Sequence, residues 1–383
     1  MNVQKVFVRE TAFVSVLGKE PYAAVSQLRT DRMKYSEKSF RFGQNQTARR
    51  YYALPPEVAA ESFYEKLEGL LASLIASAAL SPAELRKCAL YMGSTSMNLT
   101  CWEGIFREHP QETRMAPMDG YGEIGRRLAE KYGIGGEILL FSTACTSSAN
   151  ALLEASRQIR CGEMERAIVM GFEFYNELTI CGFEAMGLLS KEGCKPFDLN
   201  RSGMVLGEGA AAILIDTLPK KSGGVLEILG GSNRSDVHSI TSHNEDGSVI
   251  AHTIYDALRD AQIEAAAITH IKGHATGSTH NDLAEGRGIR TVFSTVPEIF
   301  VLKSAIGHTL GACGALELAI LEGALREGFV PKTDGFETAD PEMGIFPTEA
   351  ASNVSEGRFL LNHFGFAGSG VVLVVEYGEG NRL

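Results

Sequence analysis

The turn around Cys145 places a thiol between a predicted strand and a predicted helix. The apolar segment Glu137–Phe141 is typical of a buried strand, and alanine and leucine recur at helical spacing over Ser148–Arg160. The hydroxyl residues Thr146–Ser148 are suited to capping the helix. Free N–H groups at a helix N-terminus favour a thiolate, which is the nucleophilic form of cysteine. The pattern predicts a nucleophile, although a lone cysteine is more often an inert buried thiol.

Two histidines and a lysine stand in similar turns further along the chain. His274 follows a predicted strand in KGHATGS, and Lys303 and His308 precede a predicted helix in KSAIGHTLGACG. A lone histidine is usually structural, and a lone lysine is usually exposed. Lys303 lies near the end of a predicted apolar strand, Ile299–Ser304, so exposure of its side chain to solvent is less expected. Together with a thiolate, these side chains would suit covalent catalysis on a carbonyl compound.

The composition narrows the class of protein. The chain has 383 residues and a formal charge of −11, and its basic residues form no run, so no nucleic-acid partner is expected. Its seven cysteines show no zinc-ligand spacing and indicate reduced thiols. No signal-peptide pattern is present, and the longest apolar segment, residues 69–80, is too short to span a bilayer. We therefore expect a cytoplasmic protein with no membrane span.

Predicted strands and helices alternate, which indicates an α/β fold. The strand–turn–helix segment ILLFSTACTSSANALLEA in the first half is echoed by IFVLKSAIGHTLGACGALELAI in the second. Two such halves would bring Cys145 and His308 to equivalent places at a shared centre. A duplicated strand–helix unit also arises by chance, so the echo alone is modest support.

Five motifs in order give the chain its resemblance to a known family. They are TACTSS at 143–148, PFDLNRSGMVLGEGA at 196–210, HATGS at 274–278, KSAIGHTLGACG at 303–314 and FGFAG at 364–368. This series resembles the β-ketoacyl-acyl carrier protein synthases of the thiolase superfamily. The family's patterns are a TACSS-like loop, PFDxxRxGxxxGEG, HGTST, KSxxGHxxGAAG and FGFGG. Five ordered motifs are far more specific than one.

The resemblance implies a thiolase-like fold with five layers, α-β-α-β-α. Two pseudo-equivalent halves are expected, an N-terminal half over 1–218 with the nucleophile and a C-terminal half over 219–383 with the histidines, the lysine and the glycine-rich loop. It also implies a homodimer, or a heterodimer with a related chain-length-factor subunit. In that case the strand at Ala167–Gly171 would pair edge to edge with its counterpart.

The resemblance further implies a decarboxylative Claisen condensation of an acyl thioester with malonyl-acyl carrier protein. Cys145 would carry the acyl group, and the N–H groups of Cys145 and Phe366 would form the oxyanion hole. His274 and His308 would stabilise the enolate, and Lys303 would support them by pairing with a glutamate. No cofactor or metal is implied, because the carrier protein delivers the acyl groups on its phosphopantetheine arm.

Supporting roles near these residues are carried over in the same way. Glu285 and Glu317 are the candidate partners of Lys303, Phe364 would pack beside the Phe366 gate, and Thr276 and Ser278 offer hydroxyls to the carrier arm. HATGS departs from HGTST, and FGFAG departs from FGFGG at Ala367. These departures indicate a divergent branch, such as a polyene or aromatic polyketide pathway, rather than fatty-acid elongation.

Other readings stay open at this point. A thiolase normally needs a second cysteine in the C-terminal glycine-rich loop, and NHFGFAGSGV has none. A serine hydrolase is disfavoured because no G-x-S-x-G motif occurs. The main alternative is a non-catalytic or partner-dependent subunit of the chain-length-factor type, whose usual mark is loss of the nucleophile.

Overall fold

The computed structural model describes residues 3–29, 35–108, 120–220 and 223–379. Within these residues the chain forms fifteen strands and twelve α-helices. The strands are β1 Phe7–Val14, β2 Ser36–Phe42, β3 Asn45–Tyr52, β4 Ala89–Gly93, β5 Ile138–Phe141, β6 Arg166–Glu173, β7 Leu206–Gly207, β8 Gly209–Asp216, β9 Gly224–Ser235, β10 His270–Lys272, β11 Glu298–Phe300, β12 Phe329–Val330, β13 Ser352–Asn353, β14 Gly357–Phe364 and β15 Ser369–Glu379. The helices are α1 Pro21–Ser26, α2 Pro56–Ala59, α3 Phe63–Ser77, α4 Pro82–Leu85, α5 Leu99–Glu108, α6 Tyr121–Tyr132, α7 Ser147–Arg160, α8 Glu177–Ala185, α9 Ser248–Ala261, α10 Thr279–Val292, α11 Lys303–Ile306 and α12 Cys313–Arg326.

Ten strands form one sheet whose two ends repeat the same topology. The order is β5-β4-β6-β8-β1-β9-β15-β14-β10-β11. In each set of five, the first strand in the chain lies at the centre of the whole sheet, and the third lies at its outer edge. The pairing directions also match, since β4 is parallel to β5 and β6 as β10 is parallel to β11 and β14. The internal echo in the sequence thus corresponds to a repeated arrangement of strands.

Among the described residues, the two sets of strands pair with each other where Phe7 and Val8 of β1 lie opposite Glu227 and Leu226 of β9. The predicted division at residues 218 and 219 falls in the connection between β8 and β9. The division into two such units stays a proposal.

Three apolar cores lie between five layers, and the central core borders the middle helix layer on both of its faces. The central core lies around α7 and α12 and includes side chains from both sets of strands. A second core joins the N-terminal strands to α3 and α6, and a third joins the C-terminal strands to α9 and α10. When each set of five strands in the continuous sheet is counted as one layer, the layers are helix, sheet, helix, sheet and helix, as the resemblance implies. Among the described residues, no helix has the length and apolar character needed to cross a membrane.

A small sheet of β2, β3 and β7 lies beside the turn that carries His308, because Leu206 of β7 forms a β-bridge with His308. The hairpin of β2 and β3 buries Phe40 and Tyr51 in the same apolar cluster as Cys145. The hairpin thereby closes one side of the turn that carries the thiol.

Two expectations about strands are wrong. The strand expected at 299–304 covers only Glu298–Phe300, and Lys303 instead begins the short helix α11. The strand expected at a sheet edge, β6, is interior because β4 and β8 pair with its two sides, and all eight of its residues are buried. The edge strand at that end is β5, whose four apolar residues are half-buried.

The central helices touch backbone to backbone at a glycine. A Cβ atom placed on Gly314 of α12 would lie 2.3 Å from the main-chain nitrogen of Ala149 in α7. Real Cβ atoms do not approach backbone that closely, so any larger residue must push the two helices apart. Gly314 therefore sets the spacing of the turns at the N-terminal ends of both helices.

We expect Gly314→Ala to lower the free energy of unfolding by about 2 kcal/mol, because the added methyl overpacks a rigid contact. Urea titration followed by circular dichroism measures this. The matched control is Gly69→Ala in α3, where an added Cβ has nothing within 4 Å, so a gain of roughly 0.5–1 kcal/mol is expected from helix propensity. Equal stability of Gly314→Ala and the wild type would contradict the proposed role of this contact.

Candidate active site

Cys145 stands in a strained turn between β5 and α7. Ala144, just before it, has φ of 51°, a left-handed conformation that is uncommon for a residue with a side chain. The Ser147 hydroxyl fixes the turn by donating to the Ala144 carbonyl at 2.6 Å and accepting from the Thr143 N–H at 3.0 Å. The expected cap differs, since Thr146 makes no capping bond and contacts the Ser369 hydroxyl at 2.6 Å. The turn is thus held at both ends by hydroxyl groups.

Burial controls the charge state of the Cys145 thiol. The residue is 4% exposed, and burial raises the pKa of its thiol to about 11. The Phe366 main-chain N–H, which reaches the sulfur, and the Lys303 ammonium oppose that rise. Backbone N–H groups favour a thiolate, as expected at a helix N-terminus, but loss of hydration outweighs them and the resting thiol keeps its proton.

The two predicted histidines lie together beside the thiol. His308 Nε2 is 3.1 Å from Cys145 Sγ, and the His308 and His274 rings are 5.4 Å apart and nearly perpendicular. Burial and the Lys303 ammonium hold the pKa of both imidazoles well below the usual value. Both rings are neutral near pH 7, so each carries one proton that it can donate.

Lys303 pairs with one of its two candidate glutamates. Its ammonium donates to Glu317 Oε1 at 2.6 Å, and both side chains are 1% exposed. Burial opposes the charge, but the carboxylate raises the pKa of Lys303, and the nearby ammonium groups lower that of Glu317. Glu285 has a different position, since its oxygens accept the N–H groups of His274 at 2.8 Å and Ala275 at 2.7 Å. Glu285 thus orients the His274 turn, and Glu317 forms the ion pair with Lys303.

The loop between β14 and β15 brings Phe366 to the sulfur. Its ring stacks on Phe183 of α8 at 5.4 Å, and its neighbour Ala367 is left-handed with φ of 56°. Gly368 packs so tightly that an added Cβ would lie 1.6 Å from the Asp236 carbonyl oxygen. Phe364 packs edge-on against His274 at 6.2 Å. Phe364 therefore borders the site at His274, and the Phe366 loop is held by a tightly packed backbone.

The hydroxyls of the HATGS turn bond to each other. Thr276 Oγ1 donates to Ser278 Oγ at 3.0 Å, and both residues are buried. Asp282 holds the turn by accepting the N–H groups of Thr276 and Gly277. Contact of either hydroxyl with a carrier arm stays a prediction.

Four polar residues near the thiol were not identified from the sequence as part of the site. Lys272 and His363 pack beside Lys303 and Glu317, and the Cys313 thiol donates to the Cys145 carbonyl at 3.0 Å. The carboxylate of Glu173 accepts the Thr95 and Gly311 N–H groups and thereby ties β6 to the loop after β4 and to the turn before α12. The sequence positions of Lys272 and His363 could have indicated them, since KGH and NHF place these residues next to two of the motifs.

His274, Cys313 and His363 each place one metal-ligand atom within 4.8 Å of the others. The donor types alone would suit a soft metal ion. However, two ammonium groups lie beside them, and Lys272 Nζ is 3.5 Å from His363 Nδ1. Like charges at this distance in a buried site repel a dication strongly, so the geometry does not favour a metal centre.

Comparison with known proteins gives the family. The models "Beta-ketoacyl synthase, N-terminal domain" and "Beta-ketoacyl synthase, C-terminal domain" match residues 70–221 and 226–337. The chain belongs to the β-ketoacyl synthase family. The resemblance drawn from the motifs is thereby confirmed.

Curated relatives match part of the chain. A 3-oxoacyl-[acyl-carrier-protein] synthase 2 of Mycobacterium tuberculosis (strain ATCC 25618 / H37Rv) is 34% identical over 245 residues, which are 60% of this chain and 59% of that protein. The Mycobacterium leprae protein of the same name is 32% identical over 60% of this chain and 58% of its own length. The chain thus matches somewhat more than half the length of these relatives.

Solved structures match nearly the whole chain. A ketosynthase in complex with its chain length factor from Xenorhabdus doucetiae has a TM-score of 0.82 at 24% identity, with 97% of this chain and 98% of that chain covered. The ishigamide ketosynthase/chain length factor has a TM-score of 0.83 at 23% identity, over 98% and 99%. The predicted thiolase-like fold class is therefore confirmed for this β-ketoacyl synthase family member.

We expect alkylation of Cys145 by iodoacetamide to quicken about tenfold per pH unit from pH 7 to 10, because the thiolate fraction rises in that way below a pKa near 11. Site-resolved peptide mass spectrometry separates Cys145 from the other six cysteines. A rate that is already constant above pH 7 would mean a resting thiolate and contradict the dominance of burial.

Proposed function

We propose that this chain is a β-ketoacyl-[acyl carrier protein] synthase that works through an acyl-Cys145 intermediate. The observation that carries the proposal is the contact of Cys145 Sγ with His308 Nε2 at 3.1 Å, with His274 next to it and the Phe366 N–H at the sulfur. A nucleophile, two neutral donors and a backbone N–H meet at one point. This set suits attack on a thioester followed by stabilisation of two oxyanions.

The acylation step uses Cys145 and the backbone around it. The sulfur attacks the acyl thioester carbonyl, the new S–C bond forms, and the carrier thiolate leaves with the thiol's proton. The tetrahedral oxygen would be held by the Cys145 and Phe366 N–H groups. Because the resting thiol is protonated, His308 is the nearest group able to take the proton as the sulfur attacks.

The condensation step uses the two imidazoles. The malonyl carboxylate leaves as carbon dioxide, and the electron pair of the broken bond forms an enolate whose oxygen accepts from His274 and His308. The enolate carbon attacks acyl-Cys145, a C–C bond forms, and Cys145 leaves as a thiolate that takes up one proton. Neutral imidazoles suit this step because each keeps a proton to donate to the enolate oxygen.

The deciding experiment measures acylation by intact mass and carbon dioxide release from malonyl-carrier protein in parallel. Cys145→Ala should gain no acyl group, because the S–C bond cannot form. His274→Ala and His308→Ala should lower carbon dioxide release by at least a hundredfold, because the enolate loses a preorganised donor. Some acylation of Cys145 should survive in His274→Ala.

His280→Ala is the matched control, because His280 is exposed and pairs with Glu245 at the surface. Acylation at another residue in the Cys145→Ala variant would contradict the assignment of Cys145 as the nucleophile. A well-folded wild type that neither acylates nor releases carbon dioxide would favour the non-catalytic subunit, and recovery on adding a related chain would favour a partner-dependent one.

We further propose acyl carrier protein as a partner and pairing with a second chain, either another copy or a related chain-length-factor subunit. The support for pairing with a second chain is the half-exposed apolar edge strand β5, which pairs on one side only among the described strands. Such an edge is a template for another strand. The pathway, whether fatty-acid, polyene or polyketide, and a cytoplasmic location stay predictions.

We expect light scattering to give twice 41.3 kDa for the chain alone or a comparable mass with its related subunit. Leu139→Lys in β5 should shift the mass toward the single chain, because it places a charge at a desolvated edge. Leu218→Lys, at an exposed leucine after β8, should leave the mass unchanged. A paired wild type that tolerates Leu139→Lys would place the interface elsewhere.

A further inference from the structure

Lys272 is a second buried lysine beside the site, in addition to the one that the motifs identify. It lies in the three-residue strand β10, between β11 and β14, and is 1% exposed. Its ammonium donates to Glu317 Oε2 and to the Asn362 carbonyl at 2.6 Å, and lies 3.5 Å from His363 Nδ1. The interior of a sheet is the costliest place for a lysine, so an unneeded charge there would be unfavourable.

Lys272 and Lys303 share a single carboxylate. Glu317 gives one oxygen to each ammonium, so one negative charge faces two positive charges. The other buried acid close to this group, Glu285, already accepts the N–H groups of the His274 turn and the Asn362 amide. Burial lowers the pKa of Lys272, and the Glu317 carboxylate opposes that shift. When both lysines are protonated, Lys272 and Lys303, here called the lysine pair, outweigh the single charge of Glu317, so positive charge is in excess.

The charged and titratable groups that face Cys145 from the surrounding elements are few. His308 lies at the sulfur, His274 lies next to His308, Cys313 contacts the Cys145 carbonyl, and Lys303 approaches from α11. The acid on this side, Glu173 of β6, is held by main-chain N–H groups. Among the described residues, the lysine pair is the source of positive charge behind the reacting groups, and it acts on both imidazoles. Glu173 opposes the effect of Lys303 at the sulfur.

We propose that Lys272 is a positioning residue that shares the Glu317 carboxylate with Lys303 and so leaves net positive charge behind Cys145 and the two histidines. This rests on the proposed function, since the charge would favour each anion in turn: the thiolate, the tetrahedral oxygen and the enolate. Lys272 itself reaches none of the reacting atoms in its observed contacts. It acts through the ammonium of Lys303.

The test compares Lys272→Met with Glu317→Gln, because the two variants change the charge in opposite directions. Lys272→Met leaves Lys303 and Glu317 as a neutral ion pair. The pH midpoint of Cys145 alkylation should therefore rise, and the alkylation rate at pH 8 should fall several-fold. Glu317→Gln leaves no carboxylate on the lysines, so the midpoint should not rise. In Lys272→Met, kcat for carbon dioxide release should fall with KM for malonyl-carrier protein unchanged.

The proposal is supported if the pH midpoint of Cys145 alkylation rises in Lys272→Met and does not rise in Glu317→Gln. Every other pattern of the two midpoints overturns it. Lys272→Gln serves in place of methionine if that variant does not fold, as judged by circular dichroism. Lys131→Met, at an exposed lysine of α6, is the matched control. The alkylation measurement needs no acyl donor, so it tests Lys272 even if the chain releases no carbon dioxide and the proposed function fails.

Discussion

The close contact of α7 and α12 is the constraint on which the site depends. Each helix begins directly after one of the two turns that carry chemistry, so the distance between the helices sets the distance between the turns. Gly314 against the Ala149 backbone permits that distance, and Cys145 and His308 then fall 3.1 Å apart. A fold built from two similar halves gains a shared centre in this way, because each half supplies one turn to the same point.

The second constraint is the burial of charge at that centre. Water is largely excluded, so the Cys145 thiol keeps its proton and both imidazoles stay neutral. The same exclusion strengthens every remaining electrostatic interaction. A site of this kind holds no charge at rest on the reacting groups, and it is surrounded by ammonium groups that favour negative charge when it develops. That arrangement suits chemistry whose intermediates are anions.

The sequence predicted the fold class and the grouping of Cys145, His274, His308, Lys303 and Phe366 through the resemblance of its five ordered motifs to the β-ketoacyl synthases. It did not predict the charge state of Cys145. A helix N-terminus is visible in sequence, whereas the degree of burial depends on β2, β3 and α8 folding over the turn. It also missed Lys272 and His363, since their importance comes from contacts with Glu317, which is distant in the chain. The edge strand was misjudged for the same reason, because neighbours in a sheet follow from topology.

Two alanines with left-handed backbone conformations show that tight packing fixes the two loops next to the sulfur. Ala144 precedes Cys145 and Ala367 follows Phe366, and each has φ above 50°. Such a conformation costs on the order of 1 kcal/mol for alanine, where glycine would adopt it freely. It is retained because hydroxyl bonds fix the first turn and Gly368 packs the second against Asp236. Backbone held in this way aims the Phe366 N–H at the sulfur before any substrate arrives, and a donor that needs no rearrangement is the kind that stabilises a transition state most.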